Sequence, residues 1–228
     1  SNGKETKQGT NKIDNGYTED TAANHDSSYG NTIAKDIEDF KSKAESSSHG
    51  YYIGRYEART ATERFSSTTD DELKQITTKP SHYVYNYITQ LQAAALSRGM
   101  YEGTPFESDL MNSYAWDTAT LFLQTFDNRT NKDSLTKYSM QNSLNTGSLA
   151  NTGTNNLTEA SKKDKICNVY DMASNCLEWS TETCSFSVYT CAERGGHYNY
   201  SGYYTSFRNS NRTTSSDSYN SFRPLLYL

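Results

Sequence analysis

Histidine and cysteine are the residues best suited to metal or nucleophilic chemistry, and their spacing here supports few such sites. The four histidines are His25, His49, His82 and His197, and none is followed by a second ligand three or four residues later. The sequence contains neither H-E-x-x-H nor C-x-x-C, the spacings that zinc sites commonly use. Phosphate-binding glycine loops and the G-x-S-x-G nucleophile motif are also missing. These observations argue against a zinc enzyme, a nucleotide-binding enzyme and an α/β-hydrolase.

All four cysteines, Cys167, Cys176, Cys184 and Cys191, fall within 25 residues. Four cysteines allow three disulfide connectivities, and the sequence does not choose between them. A Cys184–Cys191 bond would join the two strands of a hairpin in an oxidising compartment. Buried thiols that serve as small apolar side chains explain the same residues equally well.

The segment 197–221 has the composition of a binding surface. Of its 25 residues, 19 are Tyr, Ser, Asn or Thr, and five are tyrosines. Tyrosine offers rigid contact area at low entropic cost, and Ser and Asn offer adaptable hydrogen bonds, as in antibody paratopes. We therefore expect a ligand-binding surface here; the alternative is a polar, irregular surface with no ligand.

The elements that would position this segment begin after a polar leader. Residues 1–49 contain 10 hydrophobic and 15 charged residues, too few apolar groups to order the chain alone. Helical spacing of Ile33, Ile37, Phe40 and Ala44 predicts one amphipathic helix over about 32–46. We expect an N-terminal arm with one docked helix over 1–49 and a single domain over 50–228.

Within that domain, helices precede strands. A capping box formed by Thr89 and Gln92 begins a helix that ends near Gly99, and a second helix is predicted over 113–124. Strands are predicted over Tyr51–Ala58, Ile166–Met172, Cys176–Thr181 and Ser185–Cys191. Residues 127–165 are predicted to be irregular chain. Without alternation of strands and helices, the order favours an α+β fold.

The chain has 228 residues and a net charge of −5, which argues against a nucleic-acid partner because such proteins usually carry a basic excess. No apolar run approaches the roughly 18 residues of a membrane span, so no transmembrane segment is expected.

Several motifs resemble the formylglycine-generating-enzyme and sulfatase-modifying-factor family. Residues 168–180 (N-V-Y-D-M-A-S-N-C-L-E-W-S) resemble its N-V-x-D-M-x-G-N-V-W-E-W-T signature. Residues 194–198 (R-G-G-H-Y) and 221–223 (S-F-R) resemble its closing R-G-G-S-W and G-F-R motifs. Upstream, 52–57 (Y-I-G-R-Y-E) matches its opening strand, and 114–117 (Y-A-W-D) lies where the family has E-A-E-W-E.

The resemblance implies a C-type lectin-like fold of the sulfatase-modifying type, with Trp116 and Trp179 in its core. It also implies that a set of anchor residues fixes the backbone of the final segment. These anchors are Gly195, Gly196, Arg208, Arg212, Phe222 and Arg223.

The resemblance does not carry over the family's catalysis. Its catalytic cysteine positions hold Tyr200 and Thr205, which cannot replace a thiolate, so no catalytic residue and no catalytic cofactor are expected. A structural calcium ion is the one cofactor considered, with Asn175 and Glu178 as weak oxygen-ligand candidates.

Within this family, the chain resembles the variable proteins of diversity-generating retroelements. In those proteins, the segment between R-G-G and G-F-R is diversified by adenine-directed mutagenesis. The residues of 197–221 come almost wholly from the set that mutated Asn codons encode. The expected ligand contacts are Asn199, Tyr200, Ser201, Tyr203, Tyr204, Asn209, Asn211, Thr213, Ser216, Asp217, Tyr219 and Asn220.

The sequence thus predicts a non-catalytic binding protein whose partner is a protein or a cell-surface molecule. This interpretation favours display of the protein on the surface of a bacterial cell or phage. Two alternatives remain: an oxidoreductase of the formylglycine-generating type with a displaced site, and a calcium-dependent sugar lectin. The second lacks the E-P-N or Q-P-D triplet of such lectins.

Overall fold

The computed structural model describes residues 17–18, 37–47, 50–67, 76, 78, 82–126, 164–184, 188–198 and 205–228. Three helices occur in these ranges: α1 (Ile37–Ser46), α2 (Gln90–Gly99) and α3 (Ser113–Phe126). None of the helices in the described ranges is long and apolar enough to cross a membrane.

The largest sheet carries the C-terminal segment. Its strands run in the order β1 (Tyr17–Thr18), β8 (Leu177–Cys184), β9 (Cys191–Arg194) and β10 (Arg208–Asn211). Each of these pairs is antiparallel, while β11 (Asn220–Phe222) runs parallel to the first residues of β8. The segment between β9 and β11 is therefore held by this sheet at both of its ends.

A second, antiparallel sheet follows the order β2 (Tyr52–Ile53), β12 (Pro224–Tyr227) and β5 (Glu107–Leu110). Two short ribbons complete the described strands. They pair β3 (Arg59–Thr60) with β4 (Tyr83–Val84) and β6 (Lys165–Ile166) with β7 (Val169–Tyr170). Small sheets combined with separate helices make this an α+β fold.

Both tryptophans are buried, as predicted, and each belongs to one of two apolar clusters. Trp116 packs in the cluster around α3, and its Nε1 donates to Thr205 O at 2.8 Å. Trp179 packs in the cluster beside α2, and its Nε1 donates to Ile88 O at 2.8 Å. Large aromatic areas with satisfied N–H groups thus supply a core that has few aliphatic residues.

The predicted N-terminal helix occupies Ile37–Ser46, and Ile33 lies outside the described residues. Phe40 is buried, with its ring centroid 5.1 Å from that of Tyr51 and 6.1 Å from that of Tyr114. Since this one aromatic enters the cluster around α3, the helix packs on that cluster.

Three strand predictions were wrong in extent or position. The strand predicted over Tyr51–Ala58 forms only over Tyr52–Ile53, as β2. The predicted strand over Ile166–Met172 is instead the hairpin β6–β7, because Cys167 and Asn168 adopt positive φ angles of 50° and 63° and reverse the chain. Of the predicted strand over Ser185–Cys191, residues 185–187 lie outside the described residues, 188–190 are not in a strand, and β9 begins only at Cys191.

Candidate ligand-binding surface

The predicted contact residues fall into two groups. Asn199, Tyr200, Ser201, Tyr203 and Tyr204 lie outside the described residues. The others follow β9 along the chain, with Asn209 and Asn211 on β10 and Asn220 at the start of β11. Between these two strands lie Thr213, Ser216, Asp217 and Tyr219.

A buried cluster of four charged side chains fixes the start of this region. Arg194 and Arg208 lie opposite each other on β9 and β10, an arrangement that like charges alone would disfavour. Arg194 donates to Asp117 Oδ1 at 2.5 Å and to Glu182 Oε2 at 3.1 Å. Arg208 donates to Glu182 Oε1 at 2.7 Å and to Asp117 Oδ2 at 3.2 Å. Two carboxylates thus neutralise two guanidinium groups and join β10 to α3 and β8.

Gly195 allows the chain to leave β9 next to this cluster. Its φ angle is +81°, and an added Cβ would lie 2.6 Å from Met172 O and 3.2 Å from Trp116 Cζ2. Both the backbone conformation and the close approach require glycine here. The first glycine of the R-G-G motif is therefore a structural anchor.

Arg223 fixes the other end of the region. Its guanidinium binds both carboxylate oxygens of Glu178, at 2.7 and 3.0 Å, and donates to Gly54 O and Tyr170 O. The bidentate geometry is the strong form of this ion pair. Phe222, the preceding residue, is fully buried. In contrast, the expected anchor Arg212 is exposed, with its guanidinium carbon 5.4 Å from the ring centroid of Tyr189.

Between these ends, one buried carboxylate collects three of the predicted contact residues. Glu193 Oε2 accepts from Asn209 Nδ2 at 2.7 Å, and Oε1 accepts from Asn211 Nδ2 at 2.8 Å and Asn220 Nδ2 at 2.6 Å. Burial raises the pKa of Glu193 to about 7, helped by the nearby Asp217 carboxylate and opposed by the three amides. Asn220 is itself fully buried, so it lies beneath the surface that it was predicted to form.

The pleat of the sheet explains this convergence. Asn209 is the direct cross-strand partner of Glu193, and Asn211 lies two residues further along the same face of β10. Arg194 and Arg208 occupy the alternate positions, so they point to the opposite face, where α3 packs. One face of the β9–β10 pair thus carries a carboxylate with amides, and the other carries the ion cluster.

The segment leading into β11 is held by backbone contacts. Tyr87 N donates to Asp217 O at 3.1 Å, and Leu177 N donates to Tyr219 O at 2.8 Å. Asn86 Nδ2 donates to Ser218 O at 2.9 Å. Since these bonds use carbonyl groups of the segment, they fix its path while constraining its side chains little.

A turn over residues 212–216 is the outermost part of the region. Arg212, Thr213 and Thr214 are exposed, and the next two residues are partly buried. Asn211 shapes this turn, because its Oδ1 accepts from Arg212 N at 2.9 Å and from Ser215 Oγ at 2.5 Å. Its amide thus joins Glu193 on one side to the turn on the other.

An aromatic stack lies at the inner end of the same region. The rings of His197 and Tyr219 are stacked, with centroids 4.8 Å apart and planes inclined by 28°. Burial lowers the pKa of His197 to about 4, so its ring is neutral near pH 7. Tyr198 Oη lies 3.0 Å from Ser218 Oγ, within hydrogen-bonding distance. Tyr219 is therefore held by its neighbours before any ligand binds.

Sequence reasoning did not single out Glu193 or the exposed pair Val188 and Tyr189. Val188 is 50% exposed and Tyr189 is 44% exposed, on the chain that leads into β9. Glu193 is one of four consecutive buried residues, so no alternation of polar and apolar residues marks it. The only available signal was an acidic residue directly before the R-G-G motif.

The two calcium candidates make other contacts. Glu178 binds Arg223, and Asn175 Nδ2 donates to Glu57 Oε2 at 2.6 Å. Burial, together with the Asp171 and Glu178 carboxylates, raises the pKa of Glu57 well above its usual range. In the described part of the chain, no group of three or more His, Cys, Asp or Glu side chains is arranged to hold a metal ion.

Cys176 and Cys191 are buried thiols, and Cys167 is an exposed thiol whose Sγ lies 3.5 Å from Phe126 O. The side chain of Cys184 lies outside the described part of the structure.

Comparison with solved structures gives a weak similarity to CarF, while comparison with families and curated proteins gives none. No model of a known protein family matches the chain, and no curated protein matches it significantly. Among solved structures, CarF aligns with a TM-score of 0.46 and 14% identity, over 63% of this chain and 67% of that chain.

Proposed function

We propose that this chain is a non-catalytic ligand-binding protein, a variable protein of a diversity-generating retroelement with a C-type lectin-like fold of the sulfatase-modifying type. One observation carries the proposal. The chain between Gly195 and Phe222 has buried contacts at both ends and an exposed turn in its middle. A surface that must tolerate many side chains needs this division, because its backbone has to hold its course whichever residues it displays.

The side chains of this region suit recognition. The exposed turn carries hydroxyl groups and one arginine, and the stacked Tyr219 adds a rigid aromatic ring. Such surfaces bind through a few aromatic and arginine side chains surrounded by adaptable polar contacts. We propose that this protein is displayed on the surface of a bacterial cell or phage. Its proposed partner is a protein or another cell-surface molecule.

The proposed contacts are those predicted residues that do not bind Glu193. In the described part they are Thr213, Ser216, Asp217 and Tyr219. Their predicted companions outside it are Asn199, Tyr200, Ser201, Tyr203 and Tyr204.

Sequencing the gene from many cells of its source population tests the proposal. We expect substitutions at adenines in the codons for 199–220 and none in the codons for 113–126, which encode α3 and serve as the internal control. We also expect a reverse-transcriptase gene and a near-copy of the variable stretch nearby. Invariant codons in 199–220, or substitutions spread evenly through the gene, would overturn the retroelement assignment.

A separate measurement tests the absence of catalysis. The purified protein is assayed for bound copper and iron and for oxygen uptake in the presence of a cysteine-containing peptide. Stoichiometric redox metal together with turnover would establish the oxidoreductase alternative instead.

A further inference from the structure

Glu193 occupies a central position under the exposed turn. It lies on β9, between β8 and β10, and is fully buried. A carboxylate is acceptor-only, and burying one is costly unless donors surround it. The three donors found here come from β10 and β11, the strands that precede and follow residues 212–219.

Asn211 connects this carboxylate to the turn. Its Nδ2 is bound to Glu193, which leaves Oδ1 facing the backbone of 212–215. If the amide rotated, its oxygen would face the carboxylate and its NH₂ group would face the N–H of Arg212. The acceptor oxygen of Glu193 therefore fixes which end of the amide meets the turn.

Asn220 is held in the same way at the far end of the segment. Its Nδ2 binds Glu193, while Oδ1 is buried and accepts no hydrogen bond within the described part of the chain. Because Oδ1 has no such bond, the hydrogen bond from Nδ2 to Glu193 is the one that holds the Asn220 side chain in place.

We propose that Glu193 is the positioning residue of the ligand-binding turn and that Asn209, Asn211 and Asn220 are its fixed anchors rather than ligand contacts. That the turn binds a ligand rests on the proposed function. That Glu193 positions the turn does not depend on it. This assignment of roles divides the Asn/Tyr/Ser-rich segment into positions that must keep an amide and positions that are free to change.

The test is amide hydrogen exchange, followed residue by residue by NMR, in the full chain without any ligand. Replacing Glu193 with Gln keeps the shape, removes the charge and turns one acceptor into a donor. At pH 8, where Glu193 is ionised, we expect the amides of Arg212 and Ser215 to exchange at least roughly tenfold faster, since hydrogen bonds to a charged group are lost. Amides of Ala93 and Ala94 in α2 should keep their rates. The matched control is Glu102→Gln, the same change at an exposed site, which should alter neither set.

A reciprocal exchange separates positioning from general support of the fold. In the double variant Glu193→Gln with Asn211→Asp, the new amide can donate to the new carboxylate, which still accepts from Arg212 N. We expect this variant to recover protection at Arg212 and Ser215 relative to Glu193→Gln alone. The single change Asn211→Asp places two carboxylates together and should loosen the turn.

Three results would overturn the inference: unchanged exchange at Arg212 and Ser215 in Glu193→Gln, an equal rise throughout α2, or no recovery in the double variant. If Glu193→Gln does not fold, Asn211→Ala decides, because it keeps the carboxylate and two of its donors. Unchanged turn exchange in that variant would equally refute the role. Since no ligand enters these measurements, a surface that binds nothing would contradict the proposed function and leave this result standing.

Discussion

Glu193 carries a carboxyl group buried among neutral amides, and this makes its contribution to stability depend on pH. Its pKa is about 7 in the folded protein, above the ordinary value of 4.5. The folded state thus favours the protonated form, and the stability that this group contributes is complete below about pH 4.5 and is lost as the pH rises through 7. The whole effect is on the order of 3 kcal/mol.

We predict that the free energy of unfolding of the native protein, minus that of Glu193→Gln, falls between pH 5 and pH 8. Other buried carboxyls, such as Glu57 and Glu182, are present in both proteins, so their contributions cancel in the difference. Denaturant titrations at four pH values within this range provide the measurement. A difference that stays constant or grows with pH would contradict the raised pKa.

A second prediction at the scale of one residue concerns Gly195. Gly195→Ala should destabilise the fold by more than about 2 kcal/mol, because a Cβ would meet Met172 O while the backbone stays at positive φ. The control is Gly99→Ala at the exposed end of α2, where a Cβ has no neighbour within 4 Å. That change should raise stability slightly, and thermal melts of both variants compare them directly. Equal melting temperatures would refute the close packing at Gly195.

At the scale of elements, the sequence predicted those that depend on local signals. The capping box at Thr89 and Gln92 is present at the start of α2, and α3 begins at the predicted residue. The burial of Gln90 and Ser97 in α2 could not be predicted from a pattern of apolar residues. Gln90 Nε2, for example, donates to Ser180 O and Glu182 O, ninety or more residues away.

The strands were harder to place because few of them alternate. The β6–β7 reversal uses positive φ angles at two non-glycine residues, which no turn motif in the sequence indicated. The buried charges of β8, β9 and β10 pair across the sheet, so their compensation becomes visible only when the strands are aligned. The candidate site shows the same limit. The composition of the Asn/Tyr/Ser-rich segment can be recognised in the sequence, but the position of the Glu193 carboxylate beneath it cannot.

The capping box provides a prediction for α2 as an element. Thr89→Ala should cost about 1 kcal/mol of stability, because Thr89 Oγ1 no longer accepts from Gln92 N. Thr125→Ala on the exposed side of α3 is the matched control and should change stability by no more than about 0.5 kcal/mol. Urea denaturation followed by circular dichroism measures both. The cap would be unimportant if the two variants had the same midpoint.

At the scale of the whole molecule, the N-terminal arm and the domain after it are expected to differ in importance. We predict that a protein lacking residues 1–30 keeps its fold, because the described part of that stretch contributes the two-residue edge strand β1, whereas the buried contact of α1 is made later, by Phe40. Phe40→Ala in the full chain should instead cost on the order of 3–5 kcal/mol, since a buried aromatic is removed. Calorimetry of both variants is the measurement. Unfolding of the truncated protein would place the arm within the core.

The last prediction concerns recognition by the molecule as a whole. Tyr200, Tyr203, Tyr204 and Tyr219 are expected to dominate the affinity for the partner, because binding hot spots favour large aromatics with a polar group. Each change to Ala should cost at least about 1–2 kcal/mol of binding free energy. Tyr52→Ala is the control, since Tyr52 is 52% exposed and lies on the separate sheet that contains β12.

The partner for this test is isolated by photo-crosslinking from a turn residue, with benzoylphenylalanine placed at Thr214, and is then purified for titration calorimetry. Melting temperatures of all five variants are measured beside their affinities. We expect the four segment variants to keep their melting temperatures and lose affinity, because the bonds that fix the described part of the segment come from Glu193, backbone carbonyls and the buried arginines. Variants that unfold with no separate loss of affinity would mean that the tyrosines belong to the core, and the binding surface would then have to be sought elsewhere.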